Sequence, residues 1–150
     1  MDVYNIFDGD LEVEEGEPPG FGTRWIRVGD RIGARRLGMS IYALEAGERI
    51  CPYHFEWAAE EWILVLEGEP ELRTPQGRTR LRPGDVVCFP PGPDGAHDVT
   101  GPAKVAMLST KDDVDVAEYP DSDKIGVFTP TARYLLRRHP ELEYYDGETE

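Results

Sequence analysis

Between residues 21 and 110 apolar and polar positions change over with a period near two, and Gly or Pro breaks the pattern every few residues. No stretch there carries the 3.6-residue apolar period of an amphipathic helix. The pattern predicts strands over 25–28, 37–44, 53–57, 61–67, 71–74, 78–81, 86–89, 96–100 and 103–110. Turns fall at Gly29-Asp30, Ala46-Gly47, Pro75-Gln76-Gly77, Pro83-Gly84-Asp85 and Gly101-Pro102. The run Pro90-Pro91-Gly92-Pro93-Asp94-Gly95 reads as neither helix nor inner strand, because proline lacks the amide both would use. Short strands joined by such turns mean an all-β sandwich or barrel. One segment departs from alternation. In Glu61-Trp62-Ile63-Leu64-Val65-Leu66 both alternating sets are apolar. With Ile63 and Val65 inside, Trp62, Leu64 and Leu66 face outward and need a cover from the N-terminal arm, the C-terminal segment or a second subunit. A homodimer formed through sheet faces is one expectation that follows.

The two ends have a different texture. Residues 1–20 are acidic and finish at Pro18-Pro19-Gly20, which suits an arm packed on the domain. After Lys111 the acids Asp112, Asp113, Asp115 and Glu118, followed by Tyr119-Pro120-Asp121-Ser122-Asp123, read as a polar, loop-like excursion. Thr129-Pro130 can open a short helix over 131–138, with Thr129 as cap, or an extended segment. The acidic tail 141–150 reads as surface. No repeat or linker divides the chain. The expectation is a single domain over 1–150: a barrel core at about 24–110, an N-terminal arm at 1–23 and a C-terminal extension at 111–150.

Composition narrows the partners. A chain of 150 residues with 39% hydrophobic residues can bury a proper core. Thirty acidic residues against sixteen basic ones, a formal charge of −14, exclude a nucleic-acid partner, since phosphate binding needs a basic face. The arginines at 24, 27, 31, 35 and 36 then read as salt-bridged or solvated. No apolar run is long enough to span a membrane, and the acidic N-terminus lacks the basic-then-apolar pattern of a leader, which points to the cytoplasm. There Cys51 and Cys88 stay reduced and read as small buried apolar residues, with the rim of the site as the alternative place for Cys51.

The chemistry concentrates in 47–68. Residues two apart on a strand share a face, so His54 and Glu56 project together, and Glu61 opens the next strand on the face of Ile63 and Val65. A turn between those strands brings one imidazole and two carboxylates onto one surface, either a metal site or a chance polar cluster. His97 follows the rigid Pro/Gly loop and shares a strand face with Val99. Tyr42, Phe55, Trp57 and Met107 are candidates for a pocket wall, and His139, beside Pro140, reads as surface. Neither a nucleophile–base pair nor a phosphate loop is present in the sequence.

These residues match a known pattern. Gly47, His54, Glu56, Glu61 and Gly68 follow the first motif of the cupins, and Pro83-Gly84-Asp85, Phe89-Pro90, Gly92 and His97 follow the second. The chain resembles single-domain bacterial cupins from about Arg24 to Thr110. The resemblance implies a double-stranded β-helix, or jelly-roll, barrel with His54, Glu56, Glu61 and His97 converging on one point inside it. It also implies a divalent metal ion there: Mn, Fe, Zn and Ni all suit imidazole-carboxylate donors. Three departures stand out: Glu56 occupies the place of a second histidine, the loop before His97 is two residues longer than usual, and Gly101 stands where asparagine often follows.

Two functions of different class fit this reading. One is a metal-dependent cupin enzyme acting on an oxygenated small molecule, with Glu56 as ligand or base. The other is a non-catalytic cupin that binds or senses a small ligand, with or without metal. A vestigial site in a structural dimer is a third. Fold does not choose the reaction.

Overall fold

The structure, a computed structural model, describes residues 1–13 and 16–148. The strands are β1 (Glu12–Val13), β2 (Arg24–Arg27), β3 (Leu37–Leu44), β4 (Phe55–Glu56), β5 (Glu61–Gly68), β6 (Glu71–Thr74), β7 (Gly77–Arg80) and β8 (Val86–Phe89). They continue with β9 (Asp98–Thr100), β10 (Ala103–Thr110), β11 (Asp115–Tyr119), β12 (Lys124–Phe128) and β13 (Arg133–Arg137). The one α-helical turn among the described residues, α1 (Val28–Arg31), stands where a plain turn at Gly29-Asp30 was expected.

Every pairing is antiparallel, in three sheets: β1-β2-β3-β10-β5-β8, β7-β6-β9 and β13-β12-β11-β4. This is the all-β architecture that the alternation implied, in the jelly-roll form that the resemblance implied. The core lies between the first two sheets, where Leu44, Ile63, Val65, Phe89 and Val105 meet Leu72 and Val99. Ile63 and Val105 are fully buried, and truncating such a side chain to Ala costs about 2–5 kcal/mol.

The large sheet is apolar on its other face too. Ile26, Val28, Ile41 and Ala106 form a second cluster there, joined by Leu64, Leu66 and Leu108. Tyr4, Ile6 and Leu11 of the N-terminal arm complete it. The N-terminal arm therefore packs over the outer face of β5, a face that β2 and β3 share as strands of the same sheet, and Leu64 and Leu66 are half-buried there. Trp62 remains 44% exposed, with its indole N–H donating to Glu60 at 2.8 Å.

The C-terminal extension corrects the sequence reading. Residues 112–123 do not form a loop-like excursion, because β11 and β12 make a hairpin around a 3₁₀ turn at Pro120–Ser122, and β13 takes the extended alternative at 133–137. The acids that suggested solvent have structural partners. The Asp115 carboxylate accepts the backbone N–H groups of Ala58 (2.9 Å) and Ala59 (3.2 Å), and Glu118 accepts the Trp57 indole N–H at 2.9 Å. These bonds dock the hairpin on β4 and turn the extension into a wall of the site. The Pro/Gly run carries a 3₁₀ turn at Pro93–Gly95 rather than no helical geometry at all. Cys88 is exposed, not buried, because β8 closes the edge of the large sheet.

Candidate metal centre

His54 precedes β4, and His97 precedes β9, at the two ends of neighbouring strand segments. Their backbones form an antiparallel bridge, His54 N–H donating to His97 O at 3.2 Å and His97 N–H to His54 O at 2.8 Å. Directly opposed residues send their side chains to the same face, and the two rings lie 4.9 Å apart between centroids. The loop before His97 is built for closeness: a Cβ on Gly95 would stand 1.9 Å from the Pro90 carbonyl oxygen. Glu61, first residue of β5, reaches the same spot from the opposite sheet, on the face that carries Ile63 and Val65.

His54, Glu61 and His97 each offer one ligand atom within 4.8 Å of the others. Glu61 Oε2 lies 3.7 Å from His54 Nε2 and 3.4 Å from His97 Nε2. Both imidazoles are already oriented from behind. Nδ1 of His54 faces the Pro52 carbonyl at 3.1 Å, and Nδ1 of His97 faces the Gly95 carbonyl at 2.9 Å. A carbonyl only accepts, so each Nδ1 carries the proton and each Nε2 presents a lone pair to the centre. The Phe89 ring lies flat on His97 at 3.8 Å, and Tyr119 stacks on His54 at 5.8 Å, which holds both rings in place.

Burial keeps the imidazoles neutral. It lowers the His54 pKa, and together with the neighbouring His54 charge it lowers that of His97 to about 3. Burial pushes both carboxyls the other way. Glu56 is raised by desolvation, then by the charges of Glu61 and Asp115, and Glu61 by desolvation and Asp115. Once Glu61 is ionised, its carboxylate faces the unprotonated Nε2 of each imidazole at less than 4 Å, lone pair against lone pair. His97 Nε2 is buried with no hydrogen-bond partner. A shared cation resolves that conflict. Around an ion with bonds of about 2.1 Å, ligand atoms sit about 3.0–3.4 Å apart, close to the 3.4 and 3.7 Å found. The donor set fits a divalent metal.

His54, Glu61 and His97 all line one cavity of about 540 Å³. Glu56 lines that cavity but stands outside the three-residue group. Tyr42 and Met107 line it as expected, whereas Phe55 is buried with Tyr53 and Ala96, and Trp57 is 52% exposed. Cys51 takes its alternative place, with Sγ 3.5 Å from His54 Nδ1. Four lining residues were not anticipated: Ile50, Arg27 of β2, Phe128 of β12 and Arg133 of β13. The last two were out of sight because the sequence predicts no strand over 124–128 and allows both a short helix and an extended segment over 131–138. His139 is exposed, as expected.

A family model described as the cupin domain matches residues 40–110. The barrel segment 40–110 is a cupin domain. No curated protein matches the chain significantly. Among solved structures, this cupin resembles a cupin-superfamily protein called a sugar phosphate isomerase, from Silicibacter pomeroyi, at TM-score 0.81 and 21% identity, covering 96% of this chain and 98% of that one. A protein provisionally called a sugar phosphate isomerase, from Acidithiobacillus ferrooxidans, aligns at TM-score 0.79 and 24% identity over 91% and 89% of the two chains. The likeness to the polyketide cyclase RemF of Streptomyces resistomycificus is lower, at TM-score 0.55 and 24% identity over 73% and 77%. At these identities the likeness is one of fold. Both isomerase-named structures align beyond the barrel, so the ends that were hardest to read belong to a shared architecture. No helix of the described residues is long and apolar enough to cross a membrane.

Proposed function

We propose that this cupin holds one divalent metal ion on His54, Glu61 and His97 and acts on an oxygen-bearing small molecule in the cavity beside it. The observation that carries the reading is the buried, partnerless Nε2 of His97, aimed at Glu61 with its ring locked on both sides. A polar atom left without a partner in a protein interior costs about 1–3 kcal/mol, so a built site with one orphan lone pair is a site for a ligand. Two imidazoles and one carboxylate leave coordination positions open, which separates a working centre from a closed structural one.

When bound, the metal would polarise a substrate carbonyl, carboxylate or hydroxyl oxygen. The chain's own residues supply the rest. Tyr42, Met107 and Phe128 wall the cavity. Glu56, inside it and outside the three-residue group, is placed to take or give a proton, because burial and neighbouring charge raise its proton affinity toward neutrality. Fe²⁺, Mn²⁺, Zn²⁺ and Ni²⁺ all suit this donor set.

The test is elemental analysis of untagged protein beside a Glu61→Ala, His97→Ala double variant. Near-stoichiometric metal in the parent and none in the variant supports the ligand set. A parent that stays metal-free after anaerobic reconstitution with each of the four ions overturns it.

A further inference from the structure

We propose that Arg27 and Arg133 form an oxyanion-receiving rim, so that the molecule bound in the cavity carries a terminal phosphate or carboxylate. The inference rests on the reading of this cavity as a small-molecule site and names the class of molecule.

The two arginines reach the cavity from different sheets. Arg27 ends β2, opposite Ser40, and Arg133 opens β13, opposite Phe128. Among the described residues, eight of the thirteen arginines have a carboxylate within 4.0 Å, and of the five that do not (Arg27, Arg35, Arg36, Arg133 and Arg137) only Arg27 and Arg133 line this cavity. Arg24, Arg31, Arg49, Arg73, Arg78 and Arg138 each have a carboxylate within 4.0 Å. Among the described residues, Arg27 and Arg133 have none, although both line a cavity that contains Glu56 and Glu61.

Each is held by an aromatic face instead. Arg27 lies over Trp25 at 5.0 Å, and Arg133 over Phe128 at 5.3 Å. Stacking orders the planar group without using its N–H donors. Its fork then remains available for two parallel hydrogen bonds to an oxyanion.

The cavity lining carries charge of both signs, Glu56 and Glu61 against Arg27 and Arg133. An anionic end is repelled by Glu56 and Glu61 and attracted to the rim. Tyr42, Met107 and Phe128 provide the less polar wall for the body of the molecule. The same charges set the orientation: oxyanion on the arginines, the rest of the molecule toward the metal centre.

The test titrates inorganic phosphate, succinate and, as a neutral control, glycerol into metal-free and Mn²⁺-loaded protein, by calorimetry. The parent is compared with an Arg27→Gln, Arg133→Gln double variant whose melting temperature and metal content are checked first. The metal-free arm isolates the rim from anion binding at the ion itself. Saturable binding of either anion but not of glycerol, weakened at least tenfold in the double variant, supports the rim, and the tighter anion identifies the oxyanion. Equal affinity in parent and variant, or no saturable binding of either anion, overturns it. A parent that binds no metal yet loses anion binding with the two arginines overturns the metal reading and leaves the rim standing. A parent that binds metal but no anion does the reverse.

Discussion

His54 and His97 exchange both of their backbone hydrogen bonds, at 3.2 and 2.8 Å, although 43 positions separate them in the chain. The pairing turns two distant imidazoles into neighbours on one surface and removes the backbone freedom that would let them part. Phe89 then fixes the His97 ring plane, at an interplanar angle of 6°. The three-residue group that could hold a metal is therefore organised by the protein's own packing.

That preorganisation is open to test at Phe89. Phe89→Leu keeps an apolar side chain in a buried position and costs about 1 kcal/mol of stability. It removes the flat surface that orients His97. Metal affinity is expected to fall by about tenfold, the lower end of what loss of a supporting group costs. Competition against a fluorescent chelator measures it, and unchanged affinity would show that the ring does not orient the ligand.

The metal-free protein has a stability profile set by two opposing sets of groups. Glu56 and Glu61 bind a proton more tightly in the folded chain than in the unfolded one, so their contribution is complete below pH 4.5 and is lost as pH rises through about 8. His54 and His97 bind a proton less tightly when folded, so theirs is present above pH 6.5 and is lost on acidification. The two trends oppose each other between 4.5 and 6.5, and only the carboxyls act above that. The melting temperature of metal-free protein should drop between pH 6.5 and 8. Added metal should raise it more at pH 8 than at pH 6, because a cation stabilises the ionised carboxylates and competes with their protons. A flat profile above pH 6.5 would contradict the burial of this pair.

Glu56→Gln separates the two acids. Glu56 lies outside the three-residue group, so the variant should still take up metal. Its neutral amide cannot repel Glu61, and the metal-free variant should gain about 1 kcal/mol at pH 8, or about 2–4 °C in melting temperature. Loss of metal from this variant would make Glu56 a ligand after all. If a substrate is found, turnover should drop while metal content holds.

Deletion of residues 1–11 tests the cover over β5. The arm side chains Tyr4, Ile6 and Leu11 pack with Leu64 and Leu66. Removing them exposes a contiguous apolar face, and such faces associate. The truncated chain is expected to melt several degrees lower and to self-associate more strongly than the parent in sedimentation. Identical behaviour of the two would mean that the arm contributes nothing to that face.

The barrel was legible because one physical rule governs it: a strand with one wet face alternates, and each Gly/Pro turn marks where it stops. That rule placed β3, β8 and β10 to the residue, put Ile63 and Val65 in the core, and showed that β5 needed a cover on its second face. The motif spacing likewise singled out His54, Glu56, Glu61 and His97, of which the structure groups His54, Glu61 and His97 within 4.8 Å. The rest depended on partners far away in the chain. Asp115 and Glu118 looked like solvent residues until the backbone amides of Ala58 and Ala59 and the Trp57 indole turned out to be what they bind. Pairing of β11 with β4, and of β12 with β13, then carried Phe128 and Arg133 to the cavity. Local alternation is written residue by residue, whereas the identity of an acid's partner, the occupant of an outer face and the distance between two imidazoles are properties of chain segments brought together only by folding. The sequence alone determined the barrel strands and the donor types; tertiary structure decided the strands of the C-terminal extension, which donors meet and which cavity the two arginines line.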